Sequence, residues 1–310
     1  LLKQDNHGID FKLEGGVDHA CAPKAKMHAR TTNNLPRRAK PWISSFAGLL
    51  TAIVVAMLAA GPAAAGLRIG VTPGALADSI HVAATEARAK GLDVKVVEFS
   101  DWTTPNVALD NGDLDLNYFQ HQAFLDNAVR QNGFKLKSVG LGILPNIGLY
   151  SERHARLSDL PQGATVAVAN DPVNQGRGLA LLATAGLISL KEGVGAKATL
   201  DDVATNPRTL KFVEIEGPQL VRAVADVDLA QGYPAHYVNA GRGDFAGKAL
   251  LYSGVDDLAF AIRFVARADR VETPEIRQFI DLYQTSPAVR ARIDAAFAHD
   301  AALYTLPWLR

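Results

Sequence analysis

From residue 67 onward, short apolar runs alternate with stretches of helical periodicity. LRIGV (67–71) has the length and apolar content of a strand. Residues 77–89 follow with helical character, opened by Gly74 and Asp78. DVKVVEF (93–99) alternates as a strand, 105–111 reads as a short helix ended by Gly112, and LDLNYF (114–119) predicts the next strand. The pattern restarts after a long extended run, GLGILPNIGLYS (140–151). ATVAVA (164–169) predicts a strand, 178–187 a helix, KFVEI (211–215) a strand, 217–225 a helix and VDLAQ (227–231) a strand. A second extended run, AFAIRFVAR (259–267), precedes two closing helices, 273–284 and 287–297, with Pro274 and Pro287 placed at their starts. Strands alternating with helices give βαβ units and a mainly parallel sheet. Two such units joined by two extended runs predict a hinge with a cleft between lobes, a preferred place for a ligand.

The first 65 residues break this pattern. Arg30, Arg37, Arg38 and Lys40 make a basic stretch after Met27, and WISSFAGLLTAIVVAMLAA (42–60) carries no charge. Small residues follow, with Ala63 and Ala65 placed for cleavage after Ala65. This is the layout of a secretory signal peptide. The rival reading is an uncleaved membrane helix, for which about 20 apolar residues suffice. Residues 1–65 are therefore expected to stand outside the fold, with 67–150 and 257–310 forming one lobe and 151–256 the other.

Composition changes the picture in three ways. A hydrophobic content of 48% and a charged content of 21% suit a globular chain with a core. Beyond residue 65 there are 24 Lys and Arg against 28 Asp and Glu, a net of −4, so nucleic acid is not an expected partner. Cys21 is the single cysteine, which leaves the rest of the chain without a disulfide, a thiol nucleophile or a thiolate metal site. No cysteine stands at the expected cleavage point either, and this predicts a periplasmic protein without a lipid anchor.

Enzyme motifs are absent. There is no G-x-S-x-G, H-E-x-x-H or G-x-x-x-x-G-K-[ST], and His81, His121, His154, His236 and His299 lack metal-ligand spacing. Neither catalysis nor a cofactor is expected. Two stretches carry candidate binding chemistry. VANDPVNQGRG (168–178) reads as a strand end, a turn at 170–176 and a helix start. Ligands of open α/β sheets sit beyond the carboxyl ends of strands, which places this turn at the cleft. Helix amides there would favour an anion, Arg177 can hold a carboxylate through paired hydrogen bonds, and Gly176 and Gly178 permit close backbone approach. An equal alternative has Asn170 and Asp171 capping the helix and Arg177 in solvent. The second stretch, DWTTPN (101–106) with NYFQHQAF (117–124), groups Trp102, Tyr118, Phe119, His121 and Phe124 near a strand end. That is either an apolar pocket with polar tips or ordinary core packing.

These segments resemble the MetQ/NlpA family, the substrate-binding proteins of bacterial methionine ABC importers. The matching stretches are LRIGV at 67, D-W-x-x-P-N at 101, NGDLDLNYFQHQAFL at 111–125, ATVAVANDPVNQGRGLALL at 164–182, LISLKEG at 187–193 and NPRTLKFVEIEGPQL at 206–220. The resemblance spans almost all of 67–308. It implies a type II periplasmic-binding-protein fold, two α/β lobes joined by two hinge crossings. It implies capture of methionine or a related small amino acid, delivered to a permease with its ATPase and without catalysis. It places Arg177 on the ligand carboxylate, Asn174 in the same motif, and Trp102, Phe119 and His121 around the rest, with Tyr118 among them. The chain departs from the family where asparagines hold the ligand's α-amino group: those positions fall near Tyr233, Ala235 and Ile262. Two expectations follow. Either Tyr233 and His236 take over the ammonium, or the ligand is a small carboxylate or sulfonate without an α-amino group.

Overall fold

The computed structural model describes residues 66–310. The expected signal segment and Cys21 lie outside the described residues. Among the described residues, no helix is long and apolar enough to cross a membrane.

Two five-stranded sheets organise the chain. The first has the order 94–98, 67–71, 116–121, 262–267, 136–141. Its first three strands are parallel, and Ile262–Arg267 runs antiparallel to both of its neighbours. The second has the order 211–215, 165–169, 229–232, 148–150, 251–252. Again the first three are parallel, and Gly148–Tyr150 pairs antiparallel with Leu229–Gly232 and with Leu251–Tyr252. The chain passes from one sheet to the other between 141 and 148 and returns between 252 and 262.

Ile69 and Val71 are fully buried, and the Ala75–Ala89 helix lays Ile80, Ala83, Ala84 and Ala87 against them. Small alanines on that face let helix and sheet approach closely. Phe279, Tyr283 and Ile293 of the closing helices, Pro274–Thr285 and Pro287–Ala296, complete the same core. The second sheet has a core of its own, with Val166 and Val168 facing Leu179 and Leu182. Fully burying one such side chain is worth about 1.5–3 kcal/mol, so each sheet has its own reason to exist.

The structure moves several expected boundaries. Residues 140–151 are not one extended run: they contain the end of Leu136–Leu141, a short strand Leu144–Pro145 and Gly148–Tyr150. Since Leu149 pairs with Gln231, residues 148–150 belong to the second sheet and not to the lobe that ends at 150 in the sequence reading. The second extended run opens with a tight turn, Leu258–Phe260, before the strand Ile262–Arg267. The helix predicted over 178–187 runs over Pro172–Thr184. Asp171 caps it by accepting the Asn174 N–H at 2.9 Å, and Pro172 occupies the first turn, where its missing N–H costs nothing. Gln122–Asn132 forms a further helix, closed by Gly133 at φ 72°.

Candidate functional site

A cavity lies where the carboxyl ends of 67–71, 116–121 and 165–169 meet the two crossings. Its lining comes from both sheets: Thr72, Phe119 and His121 from the first, Asn174, Arg177 and Tyr233 from the second. About 70 Å³ of it is open to the centres of water molecules. That is several times the roughly 10–15 Å³ one water needs, so there is room for a small multi-atom ligand.

Arg177 lies on the second turn of the Pro172–Thr184 helix and is 6% exposed. Among the described residues no carboxylate forms an ion pair with it, and its hydrogen bonds are long: Nη2 donates to the Pro145 carbonyl and the Ser253 hydroxyl, each at 3.4 Å. Its other support is the ring of Phe260, whose centroid lies 4.2 Å from the guanidinium carbon. Burial lowers its pKa to about 10, so it stays charged at neutral pH. A buried cation without a paired carboxylate, facing a cavity, is a site for an anion.

His121 ends the Leu116–His121 strand and caps the helix after it: Nδ1 accepts the Phe124 N–H at 3.2 Å. The other ring nitrogen of a neutral imidazole must then carry the hydrogen, and Nε2 donates to Asn174 Oδ1 at 3.1 Å. Burial, with Arg177 adding to it, pushes the His121 pKa down to about 3. The Asn174 amide passes its own hydrogens to Asp171, at 3.0 and 3.1 Å. One chain of hydrogen bonds therefore ties the end of a first-sheet strand to the start of a second-sheet helix.

The apolar wall is aromatic. Trp102 meets Tyr233 edge-on at 5.8 Å and Phe124 at 6.5 Å, and Phe119 meets Phe124 at 5.9 Å. Asp101 sets the Trp102 loop by accepting the N–H groups of Thr103 and Thr104, both at 2.7 Å. His236 packs beside Tyr233 at 5.1 Å, and burial lowers its pKa to about 4.

Of the residues singled out in the sequence, Arg177, Asn174, Trp102, Phe119, His121, Tyr233 and His236 line this cavity, as do Ala235 and Ile262. Tyr118 does not. Strand side chains alternate faces, so Tyr118 turns away from Phe119 into the core, where its ring stacks on Phe264 at 4.3 Å. Its hydroxyl is held by the Tyr283 hydroxyl and the Ile143 N–H. Of the expected helix amides, Pro172 has no N–H and the Asn174 N–H is used by Asp171. Arg177 reaches the cavity from inside the helix. Gly176 and Gly178 approach protein, not ligand. A Cβ on Gly176 would meet the carbonyl of Ala198 at 2.9 Å, and one on Gly178 would meet the Gln231 side chain. Sequence reasoning missed Ile143, Pro145, Thr72 and Phe260. The strand-end rule that located 170–176 also points to Thr72, just past Leu67–Val71; Phe260 carries no local signal.

The sequence profile of the NlpA lipoprotein family matches residues 67–304. The chain belongs to the NlpA lipoprotein family. It is 38% identical over 247 residues to the D-methionine-binding lipoprotein MetQ of Yersinia pestis, covering 78% of this chain and 89% of that protein. Its fold matches an ABC transporter periplasmic substrate-binding protein from Coxiella burnetii (TM-score 0.70, 35% identity, 77% of this chain and 99% of that one). It also matches a nutrient-binding protein from Burkholderia cenocepacia bound to methionine (TM-score 0.69, 39% identity, 75% and 97%). The two-lobed binding-protein fold expected from the sequence is thus shown, and these relatives are described as binding proteins and not as enzymes. The expectation of a protein without a lipid anchor is overturned: both the family and the Y. pestis relative are described as lipoproteins. That expectation rested on the lack of a cysteine beside Ala65, in a segment outside the described residues.

Proposed function

We propose that this chain is the substrate-binding component of an ABC importer, capturing methionine or a related small amino acid and delivering it to a permease with its ATPase. One observation carries the reading. Among the described residues, Arg177 is the only Asp, Glu, Lys or Arg lining a cavity between two sheets whose other walls are apolar, aromatic or neutral polar, and it has no carboxylate partner there. Such a cavity takes one acidic group and one apolar tail; the Y. pestis relative is described as D-methionine-binding and the B. cenocepacia protein as bound to methionine.

In this reading Arg177 binds the carboxylate, and Asn174 and His121 hold the two walls together over it. Trp102, Phe119 and Phe124 enclose the tail, and Tyr233 and His236 close the far side. Calorimetry with methionine tests it. Arg177→Ala is expected to lower affinity by about 2–5 kcal/mol, the range for removing one partner of a desolvated charge pair. Unchanged affinity in a folded variant would remove Arg177 from the site.

A further inference from the structure

The cavity is built for an anion, yet it offers very little to a cation. Among the described residues no Asp or Glu lines it. Its two lining amides already have protein partners. Asn174 Oδ1 takes the His121 hydrogen, and the amide hydrogens go to Asp171. Gln120 Oε1 accepts from Asn106, and its Nε2 donates to Asn106 and Asn117. His121 Nδ1 is spent on the Phe124 N–H. Each of these amide oxygens keeps a second lone pair, and the other side-chain acceptors on the lining are the neutral groups of Thr72, Tyr233 and His236. Tyr233 Oη is buried without a hydrogen-bond partner. Facing the same space as Arg177, its hydroxyl is free to donate to an anion that the guanidinium holds. The walls that complete the enclosure, Ala235 and Ile262, are apolar.

An α-ammonium would bring three N–H groups and a full charge into this space. Among the described residues the only charged side chain on the lining is a cation, with Asp171 and Asp257 standing behind the lining, and the ligand's own carboxylate is needed to neutralise it. We infer that the cleft recognises its ligand through the acidic group and the apolar tail alone, and that a small carboxylate without an α-ammonium binds more tightly than the corresponding amino acid. The inference rests on the importer reading and changes its preferred ligand from an amino acid to the corresponding acid. A sulfonate of similar size satisfies the same donors.

The full chain, unfolded and refolded to strip bound solute, is titrated by calorimetry with L-methionine, D-methionine and desamino-methionine, in which hydrogen replaces the amino group. Desamino-methionine is expected to bind at least about tenfold more tightly than either enantiomer, because a charged group left without partners costs at least the 1.4 kcal/mol that a factor of ten represents. Methionine binding more tightly would overturn the inference and leave the importer reading standing. Binding of none of the three would overturn both. A second variant probes the cause. Ile262→Asn puts an uncommitted amide oxygen on the wall and is expected to shift the affinity ratio toward methionine by about tenfold, one charge-assisted hydrogen bond. An unchanged ratio, with an unfolding midpoint close to that of the parent chain, would show that a missing acceptor is not what sets the preference.

Discussion

Arg177 illustrates what one residue's surroundings add to its identity. Its place after a strand end was readable from the spacing in VANDPVNQGRG, but whether it faced solvent or a cavity was an even choice. The structure decides this with a contact 83 positions away in the chain: Phe260, from the return crossing, lies over the guanidinium and 5.2 Å from His121. A cation above a ring face is worth about 0.5–2 kcal/mol, more as water is excluded. Phe260→Leu keeps the bulk and removes the ring face, so ligand affinity is expected to fall by about 0.5–2 kcal/mol in calorimetry. A loss of thermal stability with affinity unchanged would make Phe260 mere packing. Tyr118 shows the opposite case. Its neighbours in NYFQH suggested a pocket residue, but alternation in a strand assigns faces, and composition cannot say which face is the cleft.

At the scale of elements, the Pro172–Thr184 helix is the one whose reading changed most. Gly176 and Gly178 cost about 1 kcal/mol each in a helix relative to alanine, and the sequence reading started the helix only at Gly178. Tertiary contact outweighs that propensity: the helix packs so closely on the carbonyls of Ala196 and Ala198 and on Gln231 that no side chain fits. Gln231 Nε2 also accounts for the Asn174 carbonyl at 3.0 Å, so the first turns are braced by the neighbouring strand. The cap matters in proportion. Asp171→Ala is expected to cost about 1–2 kcal/mol in urea unfolding, as for other lost N-caps, while Asp171→Asn keeps an accepting oxygen and loses less. It should also weaken ligand binding, because Asn174 loses the partner that orients it toward His121. Equal unfolding midpoints for the alanine variant and the parent would refute the capping role.

At the scale of the whole molecule, closure of the two sheets over the cleft buries His121 and partly buries His236. His121 is held uncharged by burial and by Arg177, with Arg263 adding to the effect, and His236 by burial. Unfolded, both titrate near 6.5. Below that pH the unfolded chain takes up protons that the folded chain refuses until about 3 and 4. The stability is therefore fully present above 6.5 and is lost as pH falls through that window. Each histidine contributes a slope of about 1.4 kcal/mol per pH unit. Urea unfolding between about pH 6.5 and 5 should show this slope, and His121→Asn, which keeps an acceptor for the Phe124 N–H, should flatten it. An identical slope in the variant would mean that His121 is not the group responsible. The sequence by itself determined the alternation of strands and helices, the two-lobe organisation, the family and most of the cavity-lining residues. Apolar periodicity and the chemistry of short motifs are local properties, and they are written along the chain. Only the tertiary structure decided where the 172–184 helix begins, that Gly148–Tyr150 belongs to the second sheet, that Tyr118 faces the core and that Phe260 backs Arg177. Each of these depends on contacts between residues distant in sequence, whose energies exceed the local preferences that the chain alone displays.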